Sequence, residues 1–226
     1  MSPTSDKLAS SPLSFEPVAL LAVGALARVE LCRVTAGDRA GELVAVKRLA
    51  ESMAAEPEQL AMFQDEIWMT SLLDHPNITK LHGWGEDDGG HYLAIEFVRG
   101  VSLARLLRTV TRTGEAFTER LVVHIASNIC SGLEHAHALR SRDGQFLNLV
   151  HRDLTPGNIL LSFEGDVKIS DFGLAKAKQR VTSTAIGMTK GDPAYMSPEQ
   201  VMGKALDGRS DLFTLGILLF ELFAQR

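Results

Sequence analysis

"HRDLTPGNILL" occupies His151 to Leu161, and "SDFGLAK" follows at Ser170 to Lys176. The first stretch places Asp153 five residues before Asn158, and the second sets Asp171 on a Phe-Gly turn. Between them, "NILLS" and "DVKIS" are joined by Glu164-Gly165-Asp166 and read as a hairpin. That hairpin brings Asn158 and Asp171 to the same end. Hard oxygen donors of this kind suit Mg²⁺, which keeps waters and takes few protein ligands. Asp153 is left to orient or deprotonate a hydroxyl.

Upstream, "LVAVKRL" reads as a strand in which alternate side chains share a face. Val44 and Val46 point one way, Ala45 and Lys47 the other. A lysine beside a small apolar residue suits a cleft that holds a flat ring and a phosphate tail. The bland alternative is a strand lysine that snorkels to water. The stretch "EPEQLAMFQDEIWMTSLL" has helical periodicity, with Leu60, Phe63, Ile67 and Leu72 or Leu73 near one face. His75-Pro76-Asn77 stops it. Glu66 on this helix is placed to hold Lys47 as an ion pair, whereas Asp65 points about 100° away around the helix.

The remainder divides by character. Phe15 to Val98 is mostly strands, "VALLAVG", "RVELCRV", "ITKLHGW" and "HYLAIEFV" among them. After Gly100 the pattern turns helical, with Ser102 and Thr118 as caps and Val122, Ile125, Ile129 and Leu133 at helical spacing. A boundary near 97–101 therefore separates a strand-rich lobe from a helix-rich one, and ligand clefts favour such junctions. The domain reading is a flexible leader at 1–14, an N-lobe at 15–98 and a partial C-lobe at 99–226.

The chain has 226 residues and a net charge of −5, which gives no whole-chain basic field and argues against nonspecific nucleic-acid binding. Cys32 and Cys130 form no CxxC pair, in keeping with a reduced cytosolic setting. The Ser/Pro-rich start lacks the apolar segment of a signal peptide. "LFTLGILLFELFA", Leu212 to Ala224, is too short for a membrane span and contains Glu221, so it reads as a buried helix. His135 and His137 diverge on a helix, being two residues apart. Trp68 and Trp84 read as packing residues. Arg105, Arg108 and Arg112 read as a solvated face, with substrate contact the minor alternative.

Taken together, "VAVK", "HPNI", "HRDLTPGN", "DFG", "AYMSPEQ" and "RSDLFTLGILLFEL" stand in the order and near the spacing of a protein kinase. The chain resembles eukaryotic-like serine/threonine protein kinases, especially bacterial ones, from about Phe15 to its last residue. The resemblance implies an α+β, two-lobed fold: an antiparallel-sheet N-lobe with one main helix, and a mostly helical C-lobe lacking its last helices. It implies ATP and Mg²⁺ as cofactors, a protein substrate, autophosphorylation and a cytoplasmic location. Lys47 would contact the α and β phosphates, fixed by Glu66. Asn158 and Asp171 would hold Mg²⁺, and Asp153 would be the catalytic base. Ala22 and Gly24 fall in the phosphate loop. Val29, Ala45 and Leu160 would pack on adenine, with Ile95 behind and the backbone of Glu96 and Val98 offering hydrogen bonds. His151 and Phe172 would join a packed column, and Asp211 would hold the catalytic-loop backbone. Arg152 would meet a phosphate placed on Thr182, Ser183, Thr184 or Thr189.

Three departures qualify that resemblance. The pattern GxGxxGxV falls on Ala22 to Val29 and keeps only Gly24; alanine tolerates close packing but not positive φ. Thr155 stands where many members carry lysine, and Asp192 where they carry threonine, which removes a positive charge beside the γ-phosphate. The sequence ends at Arg226, before the helices that supply a partner for Glu199. Two other readings follow: a pseudokinase that scaffolds or binds nucleotide without turnover, and a small-molecule kinase whose catalytic loop resembles "HRDLTPGNIL".

Overall fold

The computed structural model describes residues 11–24, 26–141, 143–172 and 192–224. The chain divides into two compact units, Met1–Trp68 with Leu81–Phe97, and Met69–Lys80 with Val98–Arg226. The segment Met69–Lys80, counted from sequence with the strand-rich lobe, belongs to the second unit.

The first unit is a five-stranded antiparallel sheet of β1 (Phe15–Val23), β2 (Ala27–Val34), β3 (Leu43–Leu49), β4 (Leu81–Asp87) and β5 (Gly90–Glu96), in the order β1-β2-β3-β5-β4. The strand alternation read from "LVAVKRL" decides its two faces. Val44 and Val46 join Cys32, Val34, Tyr92 and Ala94 on one side, covered by Leu13 and Phe15. On the other, Leu93 and Leu49 pack against Phe63 and Ile67 of α2 (Pro57–Ser71), which follows the short α1 (Glu51–Ala54). Each large side chain so buried contributes at most about 1.5–3 kcal/mol.

Two features of this unit run against or beyond the sequence reading. Ser11–Ser14, read with the leader, is docked: Ser11 bridges Trp84, the Leu13 amide donates to the Tyr92 hydroxyl (2.8 Å), and the Thr35 amide donates to the Ser14 carbonyl (2.9 Å). Arg48, on the same strand face as Val44 and Val46, is buried. It donates to both Asp87 oxygens (2.6 and 2.8 Å) and to Glu30 (3.2 Å), with its guanidinium over the rings of Phe15 and Tyr92. This pairing holds the Asp87 carboxyl below the usual carboxylate range.

The second unit is built on α4 (Glu119–Ala138), which buries Val122, Ile125, Ile129, Leu133 and Ala136. The Thr118 hydroxyl accepts from the Leu121 amide and caps it. The helix packs against a three-stranded sheet of β6 (Gly100–Ser102), β7 (Ile159–Ser162) and β8 (Val167–Ile169), and against a final helix. Gly132 permits the close approach: a Cβ there would lie 3.0 Å from Ile169 and 3.1 Å from the Asn77 carbonyl. The order continues with α3 (Leu103–Thr113) ahead of α4, then α5 (Pro198–Val201) and α6 (Gly208–Ala224). Helix α6 buries Leu215, Leu218 and Leu222, while Leu212, Phe213, Phe220 and Phe223 are exposed.

The His-Pro-Asn stretch is stitched into this unit. Asn77 donates to Asn128 (2.7 Å) and to the Val167 carbonyl (3.0 Å), and the Thr79 amide donates to the Ile169 carbonyl. His75 Nδ1 accepts from the Asn77 amide (3.1 Å), and its ring stacks on that of His135 at 5.0 Å. Burial, with the His135 and Lys168 charges adding, holds the His75 imidazole below its ordinary value. Its contribution to stability is therefore complete above about pH 6.5, the unfolded-chain value, and is lost as pH falls through the lower folded-state value. Thermal unfolding followed from pH 8 to pH 5 should show a fall that is shallower in His75→Gln; parallel profiles would show that another group titrates.

Candidate active site

In the first unit, register sets the site residues. Val29 of β2 pairs with Lys47 of β3, and Ala45 pairs with Ile95 of β5. Direct antiparallel partners share a face, so Val29, Ala45, Lys47 and Ile95 line one side of the sheet. Lys47 Nζ lies 2.6 Å from Glu66 Oε1, and the two residues are 9% and 1% exposed. The snorkelling alternative is thus excluded for Lys47. Ala22 pairs with Val29, and the Gly24 amide closes the following turn on the Ala27 carbonyl (2.9 Å). Glu96 ends β5 opposite Val44.

The second unit holds the rest, with Val98 half-buried at its start. Leu160 on β7 pairs with Ser102 and Lys168. The hairpin of β7 and β8 pairs Ile159 with Ile169, and the Ser170 amide donates to the Asn158 carbonyl (2.9 Å). Asn158 and Asp171 thereby emerge at one end of one ladder. Asn158 Nδ2 donates to the Asp153 carbonyl (2.8 Å), which fixes its amide group. An amide oxygen and a carboxylate at the end of a rigid hairpin fit the donor set of Mg²⁺.

A single carboxylate holds the His151–Asp153 stretch. Asp211, 1% exposed near the start of α6, accepts from the His151 amide (2.8 Å), the Arg152 amide (2.8 Å) and His137 Nε2 (2.7 Å). Gly208 makes room, since a Cβ there would lie 2.5 Å from His137 Nδ1. The His151 ring is fully buried, 2.9 Å from the Ser170 carbonyl and edge-on to Phe172 at 4.5 Å. Arg152 and Asp171 have left-handed backbone, φ 66° and 60°. Such strain in non-glycine residues costs of order 1–3 kcal/mol and collects at functional sites. Burial lowers the Arg152 guanidinium below its ordinary value, against the pull of Asp211.

A cavity of about 410 Å³ opens over this loop, with Asp153, Thr155, Asn158 and Asp192 in its wall. The Asp192 carboxylate accepts from the Ala194 amide (3.1 Å) and caps a short 3₁₀ turn at Pro193–Tyr195. The Tyr195 hydroxyl donates to Glu221 (2.6 Å); burial first, then that carboxylate, pushes the phenol upward. Glu199 accepts from the Ser210 hydroxyl.

Several contributors escaped the sequence reading. His135 and His137 diverge as two residues so spaced should, but their partners were not foreseen: His137 bonds Asp211 and His135 stacks on His75. Gln200 reaches both ways, accepting from the Ser197 amide and donating to the Arg152 carbonyl (2.6 Å). The S-x-x-Q pattern of a capping box was the available signal for half of that. Thr182, Ser183, Thr184 and Thr189 lie outside the described residues.

A family model described as protein kinase domain matches residues 15–226. The chain is 36% identical to tyrosine-protein kinase MasK of Myxococcus xanthus, covering 89% of this chain and 31% of the relative. It is 35% identical to serine/threonine-protein kinase PrkC of Bacillus subtilis (90% and 29%) and 36% identical to PknA of Mycobacterium tuberculosis (81% and 41%). It therefore spans well under half the length of these curated relatives. The crystal structure of the Mycobacterium tuberculosis PknI kinase domain superposes with a TM-score of 0.70 at 28% identity, covering 96% of this chain and 78% of that one. No helix among the described residues is long and apolar enough to cross a membrane. The match from Phe15 onward and the shared fold lead to one assignment: the chain belongs to the protein kinase family.

Proposed function

We propose that this chain transfers the γ-phosphate of ATP to serine or threonine hydroxyls of proteins, itself included, on the cytoplasmic side. The observation that carries the reading is the Lys47–Glu66 pair. A buried ion pair is costly to desolvate and poor at adding stability. Its presence on a sheet face lined by Val29 and Ala45 is accounted for by a ligand with an aromatic ring and phosphates.

In this reading Lys47, held by Glu66, contacts the α and β phosphates. Ala22, Gly24, Val29, Ala45, Ile95 and Leu160 surround the nucleotide, and the backbone of Glu96 and Val98 bonds its base. Asn158 and Asp171 hold Mg²⁺, which neutralises phosphate charge when bound. Asp153 orients the acceptor hydroxyl and takes its proton. Arg152 stands next to it and would pair with a phosphate on the activation segment. Two of the relatives cited are named serine/threonine kinases and one a tyrosine kinase, so the acceptor is a point for experiment. Incubation with γ-labelled ATP and a generic basic protein, with and without Mg²⁺, should label the chain and the added protein on serine and threonine. Nucleotide binding without transfer would support a pseudokinase, and label on phosphotyrosine alone would redirect the acceptor.

A further inference from the structure

We propose that Arg108 reads a negative charge on the protein substrate, so that acceptor hydroxyls flanked by acidic side chains are preferred; this rests on the kinase reading above. Of the three arginines of α3, only Arg108 lines the cavity over the Asp153 loop, together with the adjacent Leu107 and with Ala104 one turn earlier. The helix is held firmly. Ser102 caps its start, Leu103, Leu107 and Val110 are buried, and Gly114 closes its end in left-handed conformation. Arg108 is therefore presented from a rigid element.

The charges in that wall are unequal in a telling way. Three carboxylates line it: Asp153, Asp192 and Glu221. Asp192 already accepts from a backbone amide, and Glu221 from a tyrosine hydroxyl. Asp153 is assigned to the acceptor hydroxyl. Arg108 makes no ion pair or hydrogen bond among the described residues, although carboxylates share its cavity. A planar guanidinium with its donors unused matches a carboxylate in bidentate geometry. The positive group that the wall still offers to an incoming chain is thus Arg108, and the ligand it takes is an aspartate or glutamate side chain near the acceptor.

The test compares three synthetic peptides with one threonine acceptor, flanked on both sides by Glu, Gln or Lys, as substrates of the wild type, Arg108→Ala and Arg108→Glu. The wild type should favour the Glu peptide. Arg108→Ala should cut its kcat/KM ratio of Glu to Gln peptide by roughly three- to tenfold, through peptide KM rather than kcat. Arg108→Glu should invert the order in favour of Lys, and added salt should shrink both preferences. A wild-type preference for Lys, or a Glu-to-Gln ratio unchanged in Arg108→Ala, would overturn the inference while leaving the kinase reading intact. Absence of transfer to all three peptides and to a generic protein would instead overturn the kinase reading itself.

Discussion

Asp153→Asn is expected to lower phosphoryl transfer by about 10²–10⁴-fold, the usual worth of a well-placed general base. Backbone hydrogen bonds help to hold the loop around it. The Asp153 amide donates to His151 Nδ1 (3.3 Å), the Asp153 carbonyl accepts from Asn158, and Asp211 fixes the two preceding residues. Removing the negative charge should therefore leave thermal unfolding and nucleotide binding in place. Asp171→Asn should differ, losing Mg²⁺-dependent nucleotide binding as well as transfer, because the proposed reading gives its carboxylate to the metal. Single-turnover kinetics alongside nucleotide titrations separate the two. Turnover by Asp153→Asn equal to wild type would remove Asp153 from the reaction.

Asp211→Ala should be the most damaging single change to the fold. It would orphan the His151 and Arg152 amides and the His137 ring at once, inside a region 0–1% exposed at His151 and Asp211. Breaking such a buried charged cluster costs about 3–5 kcal/mol, against a whole-domain stability of about 5–15 kcal/mol. For a chain of this size that is a melting-temperature loss of roughly 6–20 °C. Asparagine is no remedy, because both carboxylate oxygens accept and an amide group would present N–H to N–H. Melting curves of both variants by circular dichroism check this; a shift of a degree or two would mean the loop is held by other means.

The local parts of the site were legible in the sequence. Strand alternation separated Lys47 from Val46, helix geometry chose Glu66 over Asp65, and a turn between two apolar runs gave the β7–β8 hairpin. Caps at Ser102 and Thr118 followed from side-chain chemistry alone. What stayed hidden is non-local. Arg48 reads as a polar strand residue until Asp87, far along the chain, is seen to meet it. Ser11–Ser14 looks like leader until Tyr92 and Trp84 supply partners. Met69–Lys80 falls within the strand-rich stretch in sequence, yet Asn77 and Thr79 bond to α4 and β8. No periodicity records a partner ninety residues away.

The left-handed backbone at Arg152 and Asp171 governs which substitutions at these positions can be interpreted. Asparagine visits that region readily, while alanine and β-branched residues resist it. An alanine scan would thus remove a side chain and bend the loop in one step, and report the sum. At Asp171 the isosteric asparagine is the clean probe of charge, and glycine the clean probe of conformation. Comparing those two variants would divide the position's importance into its chemistry and its shape.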